Sequence, residues 1–185
     1  PQPSAQWTTG GTVPTSETPA DQARAAAHLQ AAGRTEAAVE QYLAAVREVA
    51  SHGDARRAYS LAMQALQVLD ELPTSSRRAL LRTQLLLESG RLQWHGALVG
   101  APFTLHEALN SLEAARLSLP HEAPPDLVGQ LAATTAGVCY DLGDLDSLQR
   151  ALVELTEVSR RLLAAGEPLL AARLLNDQAA VYVRL

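Results

Sequence analysis

The sequence predicts an all-α protein, and three features of its 185 residues carry that prediction. Ala and Leu dominate: 34 Ala and 32 Leu make up over a third of the chain, and both are strong helix formers. The residues that strands favour are scarce, with a single Phe and no Ile. Apolar residues recur at helical spacing between breaks marked by Gly, Pro and Asp. A hydrophobic share of 47% is enough for a chain of this length to bury a core.

Residues 1–20 are rich in Pro, Thr, Ser and Gly, with only Trp7 and Val13 as apolar anchors. Such a segment cannot offset its ordering entropy by burial and reads as a linker or tail. A first helix is expected from the capping residue Asp21 to Ala32, closed by Gly33. A second spans 35–51 and stops at Gly53-Asp54, and a third runs from Asp54 to Leu72 with Pro73 beyond it. Ser75 or Ser76 caps a fourth, Leu-rich helix that is expected to break at Gly96. The fifth covers about 104–119 and ends at Pro120. Pro124-Pro125 and Asp126 open the sixth, which ends at Gly143. The seventh spans about 145–165 before Gly166, and the last runs from Glu167-Pro168 to Leu185.

Eight helices joined mostly by short turns describe stacked antiparallel hairpins. Helices two, four, six and eight begin near 35, 76, 125 and 168. That period points to an α-solenoid. The last helix stops without a terminating signal and the chain opens on Pro1, so the sequence reads as a segment of a longer protein.

Composition also excludes chemistry. All 15 basic residues are Arg, so a P-loop, a kinase-type nucleotide site, a pyridoxal phosphate Schiff base and a Ser-Lys dyad cannot be built from this chain. One cysteine, Cys139, forbids an internal disulfide and a multi-Cys zinc site. The formal charge of −5 provides no general attraction to nucleic acid or anionic lipid. No apolar run is long enough to span a bilayer. The expectation is a cytoplasmic protein with no cofactor, no nucleic acid and no membrane.

Small residues recur where adjacent helices must approach closely: Ala38-x3-Tyr42-x2-Ala45, Ala58-x3-Ala62-x2-Ala65 and Ala108-x3-Leu112-x2-Ala115. Gly137-x2-Tyr140 and Ala179-x2-Tyr182 add a small-to-aromatic pairing, and Gly53-Asp54 and Gly143-Asp144 mark hairpin reversals. Over about residues 21–185 this resembles the tetratricopeptide repeat, although the spacing exceeds the ~34 residues of the standard unit. The stretches 31–49 and 60–73 are similar to the helical arms of STAND-type signalling ATPases. The resemblance implies a right-handed superhelix that binds a protein or peptide as the sensor or scaffold arm of a larger bacterial-type regulator. It also implies that helices four, six and eight line an inner face, offering Gln84, Arg91, Trp94, Thr134, Asp141, Arg173 and Asn176 to a partner. Arg and Asn there suit the backbone or carboxylate of an extended peptide.

A second feature is the apolar connection 96–103, where Leu98, Val99 and Phe103 either tuck against the core or form a docking patch. The five histidines have no metal-ligand spacing. Cys139 reads as a small buried hydrophobe. The Asp144/Asp146 and Glu154/Glu157 pairs fit helix starts and solvated faces. The Arg pairs at 56–57, 77–78 and 160–161 fit surface partners better than an anion clamp. A free-standing adaptor or self-association module is the alternative, and a hydrolase with a site between hairpins is the remote one.

Overall fold

A computed structural model describes residues 19–185, and the Pro- and Thr-rich opening segment expected to be a tail lies outside them except for its last two residues. The described chain is all-helical: α1 (Pro19–Ala31), α2 (Thr35–Ser51), α3 (Ala55–Asp70), α4 (Ser76–Leu98), α5 (Leu105–Ser118), α6 (Pro125–Leu142), α7 (Leu145–Ala164) and α8 (Pro168–Arg184). The α1 helix starts two residues before the expected Asp21, because Pro19 has its φ preset for a first helical position. Asp21 then falls in the first turn, where the helix dipole favours a carboxylate.

Side chains close the helix starts. Asp54 accepts from the Arg57 amide at 3.0 Å, Ser75 from Arg78 at 3.0 Å and Asp144 from Ser147 at 2.8 Å. Hydrogen bonding from Ser147, its side chain first and its amide second, holds the Asp144 carboxyl below the usual carboxylate range. The start of α5 is a reciprocal capping box: Thr104 Oγ1 accepts from the Glu107 amide, and the Glu107 carboxylate accepts from the Thr104 amide. Each cap is worth about 1 kcal/mol.

The end of α4 also differs from expectation. The α4 helix does not break at Gly96 but continues to Leu98, and the left-handed turn falls at Gly100, φ 78°. Gly96 serves close packing instead: a Cβ there would lie 2.5 Å from the Phe103 ring.

The packing is serial. Each helix packs against its chain neighbours, and the even-numbered helices also pack on one another in the order α2, α4, α6, α8. No pair of odd-numbered helices packs to a comparable extent. The even helices therefore form the closer layer and the odd helices the splayed one. The core divides accordingly into successive clusters. Val39, Leu43, Leu69, Leu81 and Leu85 join α2, α3 and α4. Leu87, Leu112 and Leu131 join α4, α5 and α6. Ala132, Leu148, Leu155, Leu174 and Val181 join α6, α7 and α8. The repeated small residues Ala38, Ala45, Ala58, Ala62, Ala65, Ala108 and Ala115 are all wholly buried, so the positions that close helix approach requires are the ones that lose all contact with water. Ala179 and Tyr182 differ, both being exposed on α8.

Candidate functional site

The even layer carries a groove of about 670 Å³ between α4, α6 and α8. Four residues expected to face a partner meet in it: Arg91 from α4, Thr134 from α6, and Arg173 and Asn176 from α8. Ala133, Leu169 and Leu170 supply apolar surface between them. The α4 and α6 wall is tied by a polar chain. Arg91 donates from Nε to Thr134 Oγ1 at 3.3 Å and from Nη2 to Gln130 Oε1 at 3.1 Å. Gln130 donates in turn to Asp126 Oδ2 at 2.5 Å. On the other side, Glu88 lies 3.8 Å from Arg91 and accepts from Arg47 Nε at 2.8 Å, which extends the chain to α2. The α8 wall differs, since Arg173 and Asn176 are exposed there and Asp177 is half-buried. Burial pushes the Asp177 carboxyl above its ordinary range.

Two other expected residues form a structural pair beside the groove. Trp94 Nε1 donates to Asp141 Oδ2 at 2.6 Å, clamping α4 to α6. The indole lies against Gly137, where a Cβ would be 2.3 Å from the ring, and stacks on His95 with centroids 4.8 Å apart. Gln84 is half-buried on α4 and does not line the groove. In the 96–103 segment, Leu98 and Val99 are 56% and 81% exposed, whereas Phe103 is withdrawn from any patch. Its ring packs edge-on to Tyr59 at 5.2 Å and covers Gly96.

Gln130, Asp126 and Asp177 belong to the groove and were not expected from the sequence. The i, i+4 ladder Asp126-Gln130-Thr134 and the pair Arg173-Asp177 are the signals that place them on the same helix faces.

The remaining reactive groups have ordinary roles. Arg77 is paired with Glu40, and Arg78 and Arg82 hold Asp70 at 3.0 and 2.7 Å. The Arg82 hydrogen bond, opposed by slight burial, lowers the Asp70 carboxyl. Among the described residues no His, Cys, Asp and Glu side chains gather as a metal-binding group, and no helix is long and apolar enough to cross a membrane. Cys139 is 1% exposed, and burial pushes its thiol up to about 11. Thiolate is the reactive form, so Cys139 is expected to stay unmodified by a disulfide-exchange reagent at pH 7 and to react fully in denaturant. Rapid labelling of the native protein would show that α6 and α7 part around it.

The geometry defines a serially packed all-helical array with a groove on its closer layer. No family model matches the sequence, and no curated protein or solved structure is similar enough to assign it to a family.

Proposed function

We propose that this chain is a non-catalytic module that binds an extended segment of a protein partner in the α4–α6–α8 groove, in the manner of a tetratricopeptide-like repeat. The observation that carries the reading is the convergence of Arg91, Thr134, Arg173 and Asn176, contributed by three helices about 42 residues apart, on one apolar-floored groove. The polar chain on α4 and α6 makes one wall rigid, and the exposed Arg173 and Asn176 on α8 supply a guanidinium and an amide for peptide carbonyls or carboxylates. A preorganised wall lowers the ordering cost of binding. In a larger cytoplasmic regulator of the STAND kind, occupancy of the groove would report to an effector domain elsewhere in the parent protein.

The test is selection of a displayed random dodecapeptide library on the full chain. Peptides that bind should lose at least tenfold in affinity, about 1.4 kcal/mol, when Arg173→Ala and Asn176→Ala are combined. Both side chains are exposed, so helicity should be unchanged. Equal affinity for the double variant would move the site out of this groove.

A self-association reading has one observation in its favour: Leu169, Tyr182 and Val183 on α8 are 81%, 61% and 90% exposed. Light scattering at micromolar concentration separates the two readings, since a monomer removes the second.

A further inference from the structure

The splayed odd layer has a groove of its own. It measures about 800 Å³, lies between α5 and α7, and is floored by Val128 and Leu131 of α6. At 100° of helix per residue, the mean direction of these two positions on α6 lies about 110° from that of Gln130 and Thr134, so the two grooves use different faces of the helix. The α7 wall is a single helical stripe that combines apolar Val153 and Val158 with charged groups. Four carboxylates line the groove, Glu113, Asp146, Glu154 and Glu157, against three guanidiniums and the His121 imidazole.

The pairing among these charges is uneven. Glu113 takes both Arg116, at 2.9 Å, and Arg150. Those two guanidiniums are thereby committed to one carboxylate. Arg161 is the only guanidinium left against three acids in the lining. Glu154, at the centre of the stripe, is half-buried against the walls and has neither a hydrogen bond nor an ion pair among the described residues. A carboxylate that has lost water without gaining a directly paired cation is energetically poor. Burial accordingly pushes Glu154 above the usual glutamate range, with Arg116 opposing. A cation delivered from outside would supply the partner that the fold does not.

We propose that the α5–α7 groove is a second docking surface, which takes a basic, apolar segment of a partner protein. An Arg or Lys of the partner closes on Glu154, and a neighbouring aliphatic side chain lies over Val128 and Val153. Charge complementarity selects this occupant: an acidic segment would meet three carboxylates left over from the internal pairing. The proposal does not depend on the α4–α6–α8 groove.

The test uses the full chain carrying Arg173→Ala and Asn176→Ala, which takes the even-layer groove out of play, and a displayed random dodecapeptide library as probe. Enriched peptides should carry Arg or Lys beside an aliphatic residue. A synthetic peptide of that consensus should bind Glu154→Gln at least tenfold more weakly. It should not bind Glu154→Lys, and replacing its basic residue with Glu should restore binding to that variant. Val153→Asp, at a position 69% exposed and so harmless to the fold, should also weaken binding.

Glu154→Gln should fold normally. Because the folded-state pKa is raised, the carboxylate costs stability above that pKa and the cost vanishes as pH falls through the glutamate range. The glutamine variant should therefore be at least as stable as the parent at pH 7, and the two should converge in acid. Failure to enrich any peptide, enrichment without basic residues, or equal affinity for Glu154→Gln would each overturn the proposal. None of these outcomes bears on the even-layer groove, which is tested by its own double variant.

Discussion

Replacing Gly137 with Val is expected to destabilise the protein by about 2–3 kcal/mol, the upper part of the range for forcing extra carbon into a packed contact. The α6 backbone at Gly137 lies directly under the Trp94 indole, and even the first added carbon would sit 2.3 Å from the ring. The indole cannot swing aside freely, because its Nε1 donates to Asp141 one turn further along α6. Relief requires either breaking that bond or parting α4 from α6, and the second would widen the floor of the groove beside it. Valine regains only a few tenths of a kcal/mol of the helix propensity that glycine lacks. For a chain of this size the net cost corresponds to roughly 4–12 °C in Tm. Thermal unfolding and Trp emission in a Trp7→Phe background check it together. An unchanged Tm with an unchanged emission spectrum would mean that α4 and α6 do not close on each other at this point.

The same residue shows what local sequence encodes and what it does not. All eight helices were legible, because Leu and Ala at helical spacing and the breaks at Gly33, Gly53, Pro73, Pro120, Gly143 and Gly166 are local signals. Gly96 was misread for a reason that local sequence cannot remove. Glycine ends a helix by adopting positive φ, as Gly100 does at 78°, or lets a neighbour approach, as Gly96 does for Phe103. Only the position of Phe103 distinguishes the two uses. The even-layer groove was partly legible because Arg91, Thr134 and Asn176 recur at the period of the even helices, which places them on one face. Trp94 and Asp141 are 47 residues apart, about one helical turn off that period, and their function is to join helices, which depends on their mutual bond. The odd-layer groove left no mark in the spacing. It arises because α5 and α7 do not pack closely and meet through the Glu113–Arg150 pair, and the distance between helices that are not chain neighbours is set by packing several elements away.

Leu155→Ala is expected to cost about 3–4 kcal/mol, in the middle of the range for a fully buried leucine whose surroundings relax only in part. Leu155 is 0% exposed and stands on α7 in the cluster that holds α6, α7 and α8 together through Ala132, Leu148, Leu174 and Val181. Where the loss appears is as informative as its size. Because the core is a series of clusters, each shared by consecutive helices, a defect in the α6–α8 cluster has no direct contact with Leu43, Leu69 and Leu85 at the other end. In such an array stability is approximately a sum of local and nearest-neighbour contributions. Native-state hydrogen exchange should therefore show lost protection in α6, α7 and α8, while α2 and α3 keep theirs. Both proposed grooves depend on α6 and a helix beside it, so peptide binding at either should weaken in step with that local opening. Uniform loss of protection from α2 to α8 would mean instead that the clusters unfold as one cooperative unit, and that a ligand in either groove would stabilise the whole array.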